Sequence, residues 1–244
     1  MQYKADFVTG VLSIIIFNTI NLSLIGILIY QFNELNGWNI WHLIFLYGLW
    51  LLSHSIFSFF FWHLCDMENY LIQGTFDQFL TRPVSPLLQF LGRDVHYLGV
   101  GDILIGVTCI VISYINLGLD WTLINFMFFI IAVISGTIIE FSISWIIACI
   151  SFWTGRSFGA FTILWQINSI VQQYPIDIFG NWFRIMVTFV LPVALMNYYP
   201  SLILLDKSDN TVYMLLSPLV SLLILGVAAA FWKKGIRSYS SSGN

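Results

Sequence analysis

The sequence predicts an all-α polytopic membrane protein with six transmembrane helices and an extracellular re-entrant helical hairpin. Three observations carry that expectation. Only 9% of the 244 residues are charged and 59% are hydrophobic, whereas a soluble domain carries about 25% charged residues to face water. The apolar residues fall into runs near the ~20 residues that one helical crossing needs, and the mean hydropathy is +0.86. Threading the chain six times also gathers most basic residues on one side, as cytoplasmic loops do. The length accommodates one transmembrane domain, 1–244, and no second soluble domain.

The elements follow in order. The first apolar run, 7–30, exceeds a signal-peptide core and lacks a small-residue cleavage pattern after it, so it is retained as a helix. A polar stretch, 31–39, separates it from a second helix over 41–64. The longest charged stretch follows, 66–94, and then a third helix over 95–116. Gly118, Leu119 and Asp120 make a tight turn into a fourth helix, 121–152, longer than a crossing requires. Thr154, Gly155, Arg156 and Ser157 form the next turn, and the fifth helix covers 158–174. Within 175–210 the apolar segment 185–205 is interrupted by Pro192, Asn197 and Pro200. Two prolines and an asparagine suit a hairpin that dips in and returns, with its freed backbone satisfied by protein or water. The last helix spans 211–232, with Pro218 expected to kink it.

Basic residues select the topology. With both termini cytoplasmic, Lys4, Arg82, Arg93, Arg156, Lys233, Lys234 and Arg237 lie inside, and only Arg184 and Lys207 lie outside. A full crossing by 185–205 would carry Lys233, Lys234 and Arg237 to the outer side, so the hairpin reading is preferred.

Ionisable groups within membrane helices are costly and by default face protein or water. Glu140 sits mid-helix, with Gly136, Ser144 and Ala148 at four-residue spacing on its face. It is either a hydrogen-bonded group at a helix–helix seam or a group that handles substrate or protons. Asp102 lies early in the third helix among Gly99, Gly101 and Gly106, with a structural role and a pathway role both open. Gln166, Ser169 and Gln173 share a face of the fifth helix at i, i+3 and i+7. That face suits a subunit interface, a translocation route or internal packing. His42, His54, His63 and His96 show no metal-ligand spacing, and His54 with Ser58 suggests a hydrogen bond. Cys65, Cys109 and Cys149 are expected as unpaired small hydrophobes. Trp38, Trp41, Trp121, Trp153, Tyr198 and Trp232 near the run ends suit aromatic belts.

The 66–94 loop has its own local signals. Thr75 followed by Gln78 has capping-box spacing. Phe76, Phe79 and Leu80 give the ensuing helix an apolar face, and Arg82-Pro83 stops it. Ser85 then caps a further helix with Pro86 at its first position. The spacing of Glu68-Asn69, Gly74, Phe76-Asp77, Leu80, Arg82-Pro83 and Pro86-Leu87 resembles the cytoplasmic loop of ABC-2-type transporter permeases, in the branch called ABC-2 family transporter protein. Further motifs carry the resemblance along the chain. These are Tyr3 to Phe7, Gly37-Trp38, Tyr174-Pro175 with Phe179, Leu191-Pro192, Asn197 to Pro200, and Trp232, Gly235, Tyr239 and Gly243. One departure is a lead of about six residues before the first helix, so an amphipathic elbow helix is expected to be missing or very short.

The resemblance implies an ABC-2, type V exporter-like permease fold in the cell membrane. Two permeases, identical or homologous, would pair with two ATPase subunits that hold ATP and Mg. The short loop helix would be the coupling element, with Glu68, Gly74, Phe76, Asp77, Leu80, Arg82 and Pro83 docking on the ATPase. The residues agree on one point, since the sequence contains no G-x-x-x-x-G-K-S/T loop to cradle phosphates. No catalytic residue, metal or cofactor is expected in this chain, and no nucleic-acid partner. The alternatives are an ATPase-independent channel or immunity-type membrane protein, and an intramembrane enzyme using Glu140, Asp102 or a histidine.

Overall fold

A computed structural model describes residues 2–239, apart from 94, 98, 209 and 211, with side chains from residue 7 onward. Several expectations lie outside the described residues: the Lys4 position and the 3–6 motif as side chains, Asp94 as the loop end, Thr211 as a helix start, and Gly243.

Among the described residues every regular element is helical. Helix α1 is Gln2–Phe32 and α2 is Ile40–Phe61, followed by a 3₁₀ turn, Trp62–Asp66. The loop contains α3 (Met67–Ile72), α4 (Asp77–Leu80) and α5 (Pro86–Leu91). Then come α6 (Gly99–Leu117), α7 (Leu123–Thr154) and α8 (Phe158–Val171). The next segment holds α9 (Asn181–Ile185) and α10 (Tyr198–Leu204), and α11 is Val212–Ser238. Five stretches, containing α1, α2, α6, α7 and α11, are long and apolar enough to cross a bilayer.

The boundaries have local causes. Asn39 Oδ1 accepts from the backbone N–H groups of Trp41 and His42, while His42 Nδ1 accepts from the Asn39 N–H. That reciprocal cap starts α2. Gly118 (φ +60°) and Gly155 (φ +69°) adopt the left-handed conformation that ends α6 and α7. The third helix begins at Gly99, not at residue 95, because the chain turns at Tyr97 first. The fifth ends at Val171, not 174, since the chain turns there toward Pro175. The last continues past 232 to Ser238.

Helix α2 is the central post, with Leu43, Phe45, Leu46 and Leu49 fully buried. It packs against α6 and α7, and α7 packs against α11. Lipid is as apolar as leucine, so close van der Waals approach and hydrogen bonds hold such helices together. Two glycines permit that approach. A Cβ on Gly48 would lie 2.9 Å from the Cys109 Cβ of α6, and one on Gly136 would overlap the Ser53 side chain. At the Gly136 seam Ser53 Oγ donates to the Val133 carbonyl at 3.2 Å, and Thr137 Oγ1 donates to the Ser53 carbonyl at 3.1 Å.

Six helices run between two distinct ends of the molecule. Tyr97, before α6, meets Phe7 of α1 at the loop end. The α7 C-terminus (Phe152) and α11 (Trp232) surround the loop's Phe76, and Glu68 bonds the start of α8. At the other end, Trp121 before α7 meets Tyr114 of α6. There Tyr213 of α11 meets Tyr199, and Asn197 bonds the last residue of α8. Directions therefore alternate through α1, α2, α6, α7, α8 and α11. With 14 residues, α8 rises only ~21 Å, less than a ~30 Å hydrocarbon core.

The segment between α8 and α11 enters and leaves at one end. Asp177 accepts from Trp38 Nε1 at 3.2 Å on entry, and Lys207 Nζ donates to the neighbouring Gly37 carbonyl at 2.7 Å on exit. Between these points Asn181–Val190 and Val193–Leu204 meet at 79°. The break is at Leu191-Pro192, whereas Pro200 sits in the first turn of α10, where its missing N–H costs nothing. This is a re-entrant hairpin. Its tip reaches the α2–α7 seam, for Met196 Cα would lie 3.4 Å from a Cβ on Gly136.

Most aromatic residues expected in interfacial belts are instead packed inside. Trp38, Tyr198 and Trp232 are buried, and Trp121 packs between Phe45, Tyr114 and Phe129. Trp153, at 48% exposed, remains on the outer surface. Position near a run end marks depth but not which way a ring turns.

Candidate functional site

Two features stand out. One is a lateral cavity of about 780 Å³ bordered by α1, α2, α6 and α8. Its aromatic walls come from Phe17, Tyr47, Trp50, Trp62 and Trp165, and its polar groups from Asn18, His54, Asp102, Asn168, Ser169 and Gln172.

Asp102 Oδ1 accepts from Asn18 Nδ2 at 2.8 Å, and Asn18 Oδ1 accepts from the Tyr47 hydroxyl at 2.5 Å. This chain links α6, α1 and α2. On the opposite side His54 Nδ1 and Glu140 Oε1 are 2.7 Å apart. That is the one ion-pair contact among the described residues. Glu140 is 3% exposed and sits behind His54, which presents its ring to the cavity and stacks on Trp50 at 4.6 Å. Removing either partner of a buried pair strands the other, at about 3–5 kcal/mol.

Asp102 and Ser169 thus meet in one cavity, while Glu140 lies one layer behind. Gln166 is exposed outside it, and Gln173 is buried against Asn21, donating to Asn21 Oδ1 at 2.9 Å. The expected common face of Gln166, Ser169 and Gln173 is lost because α8 ends at Val171 and the helical period ends with it. The expected His54–Ser58 bond is also replaced. His54 turns to Glu140, and Ser58 Oγ lies 3.5 Å from His96 Nδ1. Asn18, Tyr47 and Trp50 were not singled out from sequence, whereas Asn168 and Gln172 belong to the run of polar residues that marks the fifth helix as too polar to face lipid all round. The amide repeat of Asn18 and Asn21 in an apolar helix was the available signal for the α1 side.

The second feature is the loop. Thr75 does not cap: its hydroxyl donates to the Tyr70 carbonyl at 3.3 Å, and α4 starts at Asp77 after Phe76. The preceding turn occupies Thr75, with Gly74 at φ +68°, so the capping-box geometry never forms. Ser85 takes the N-cap position without a side-chain bond, and Pro86 is at N1 as expected. The apolar face is Phe76 and Phe79, whereas Leu80 is 42% exposed.

The proposed coupling residues separate into a base and an apex. Glu68 Oε2 accepts from the backbone N–H groups of Ser157 and Phe158 at 2.6 and 2.8 Å, capping α8 from a distance. Asp77 Oδ1 accepts from the Tyr239 hydroxyl at 2.9 Å. Burial, and then that bond, push the Tyr239 phenol up to about 12. Phe76 is fully buried among Phe79, Phe152, Trp232 and Tyr239. Leu80, Arg82, Pro83 and Val84 are exposed beyond this base.

Six alternating helices and a re-entrant hairpin define a multi-pass membrane protein. The family model for ABC-2 family transporter protein matches residues 14–243. The chain belongs to that family, as a permease component of an ABC transporter whose kind works with ABC ATPase partners. Searches of curated proteins and of solved structures returned no match.

Proposed function

We propose that this chain is the membrane-spanning half of an exporter, paired with a second permease and driven by two separate ATPase subunits. ATP and Mg belong to those subunits. The loop end faces the cytoplasm with both termini, and the hairpin faces outward.

The observation that carries this reading is the build of the loop. Its base is pinned to three helices of the bundle, to α8 through Glu68 and to α7 and α11 through Phe76, while its apex presents Leu80, Arg82, Pro83 and Val84 to solvent. A push on such an apex is delivered to the helices. The basic-residue bias supports the orientation.

The test is affinity recovery of tagged chain from its native membranes, with the co-purifying ATPase quantified. Leu80→Asp with Arg82→Glu should cut recovery and transport at least tenfold while expression stays unchanged. Full recovery and transport would remove the docking role. Cysteines at 82 and 207 labelled by a membrane-impermeant reagent should react from opposite sides, and reaction from one side would remove the topology.

A further inference from the structure

We infer that the lateral cavity is a binding site for a lipophilic organic cation, which would be the cargo of the exporter proposed above. A volume of about 780 Å³ suits a drug-sized molecule, for which pockets of ~300–1,000 Å³ are usual.

Charge selects the ligand. The lining contains no Lys or Arg, and one carboxylate, Asp102. Its hydrogen-bond partner is the neutral amide of Asn18, so its charge is not answered by a cation there. The basic lining group, His54, is already matched by Glu140. The titratable groups that act on Asp102 from neighbouring elements are the imidazoles of His54, itself bound to Glu140, and of His96. An anion would therefore meet an acidic group and no Lys or Arg in the lining, and a neutral ligand would bring no charge to match it.

The aromatic walls favour the same class. Trp62 and Trp165 stack nearly parallel, 5.9 Å apart and 7° from coplanar, and Trp50 stacks on His54 at 10°. Broad ring faces attract cations, most strongly indole, and the attraction grows in a desolvated site. Asn168 adds an independent sign of a ligand. It is 4% exposed, lines the cavity, and its Oδ1 has no hydrogen-bond partner. A buried acceptor left unpaired costs about 1–3 kcal/mol, which a donor or positive group on the ligand would offset.

The experiment uses purified full-length chain in nanodiscs and two probes of the same shape and opposite charge, tetraphenylphosphonium and tetraphenylborate. Tryptophan fluorescence should be quenched saturably by the cation and not by the anion. Asp102→Asn should weaken cation binding roughly tenfold, a change of about 1.4 kcal/mol, Asp102→Glu should restore most of it, and Trp165→Ala should weaken it severalfold. Equal binding of both probes, no saturable cation binding, or an unaltered Asp102→Asn affinity would each overturn the inference. If Asp102→Asn fails to fold, the comparison of probes on the unaltered chain decides alone. ATPase recovery is measured separately, so failure of cation binding with intact recovery removes the cargo and leaves the exporter reading standing.

Discussion

The two ends of this molecule use similar aromatic residues to opposite purposes. At the hairpin end the polar aromatic atoms are pinned by protein. Trp38 donates to Asp177 and carries the Lys207 ammonium 4.8 Å above its ring, and Trp121 donates to the Leu204 carbonyl at 3.2 Å. Asn197, fully buried, donates to the Val171 carbonyl at 2.9 Å and accepts from the Tyr198 N–H at 2.8 Å. At the loop end Gln89 Nε2 holds the apex backbone at the Val84 carbonyl, 2.6 Å away, while the side chains of Leu80, Arg82, Pro83 and Val84 stay exposed. One end is closed on itself and the other is presented for contact, so substitutions at the two ends should separate stability from partner binding.

The largest effect is expected where the hairpin tip meets the α2–α7 seam. Gly136→Leu would force Ser53 and Met196 apart. Overpacking typically costs about 1–3 kcal/mol and occasionally more, and a whole side chain set against a packed seam belongs at the upper end. The monodisperse fraction on size exclusion should collapse. A normal profile would mean that the seam is not close-packed.

Asn197→Ala should come next. It leaves the Val171 carbonyl and Tyr198 N–H without their partner, at about 1–3 kcal/mol, read as a lower thermal midpoint. Tyr239→Phe at the loop base removes one bond to Asp77 and should cost about 0.5–1.5 kcal/mol. If it costs more than Asn197→Ala, the contrast between a sealed end and an open one fails.

Acid should act more weakly. Burial holds the His96 imidazole below its ordinary 6.5, against the opposing pull of Asp102 and Asp66. As pH falls the unfolded chain takes up this proton first, so the contribution is present above pH 6.5 and fades below it. His96→Gln should flatten that part of the midpoint-versus-pH curve. An unchanged curve would assign the acid sensitivity to another group.

The smallest stability change belongs to the apex. Leu80→Ala and Arg82→Ala should each shift unfolding by less than about 0.5 kcal/mol, as exposed substitutions do, yet lower ATPase recovery. A large stability loss there would show the apex to be packed.

Much of the architecture was legible from composition and spacing. The apolar runs located the long helices, Gly118 and Gly155 marked turns that the structure retains, and Pro192 marked the break of the hairpin. Local capping was less legible. Thr75 and Gln78 have the right spacing, but tertiary burial of Phe76 sets the turn first. Asp102 was found as an ionisable residue in an apolar helix and Ser169 as part of the polar face of the fifth, whereas the partner of Glu140 was not, since His54 lies 86 residues away in sequence.

By itself the sequence determined that this chain lives in a bilayer, where its apolar helices fall, and that its hairpin breaks at a proline. Those properties rest on hydrophobicity, period and local backbone chemistry, which act over a few residues. Only the tertiary structure decided that Asn18, His54, Asp102 and Asn168 face one cavity, and that Glu68 and Asp77 point inward to helices while Arg82 points out. Such outcomes depend on which helix faces pack together, and helix faces meet through contacts between residues far apart along the chain.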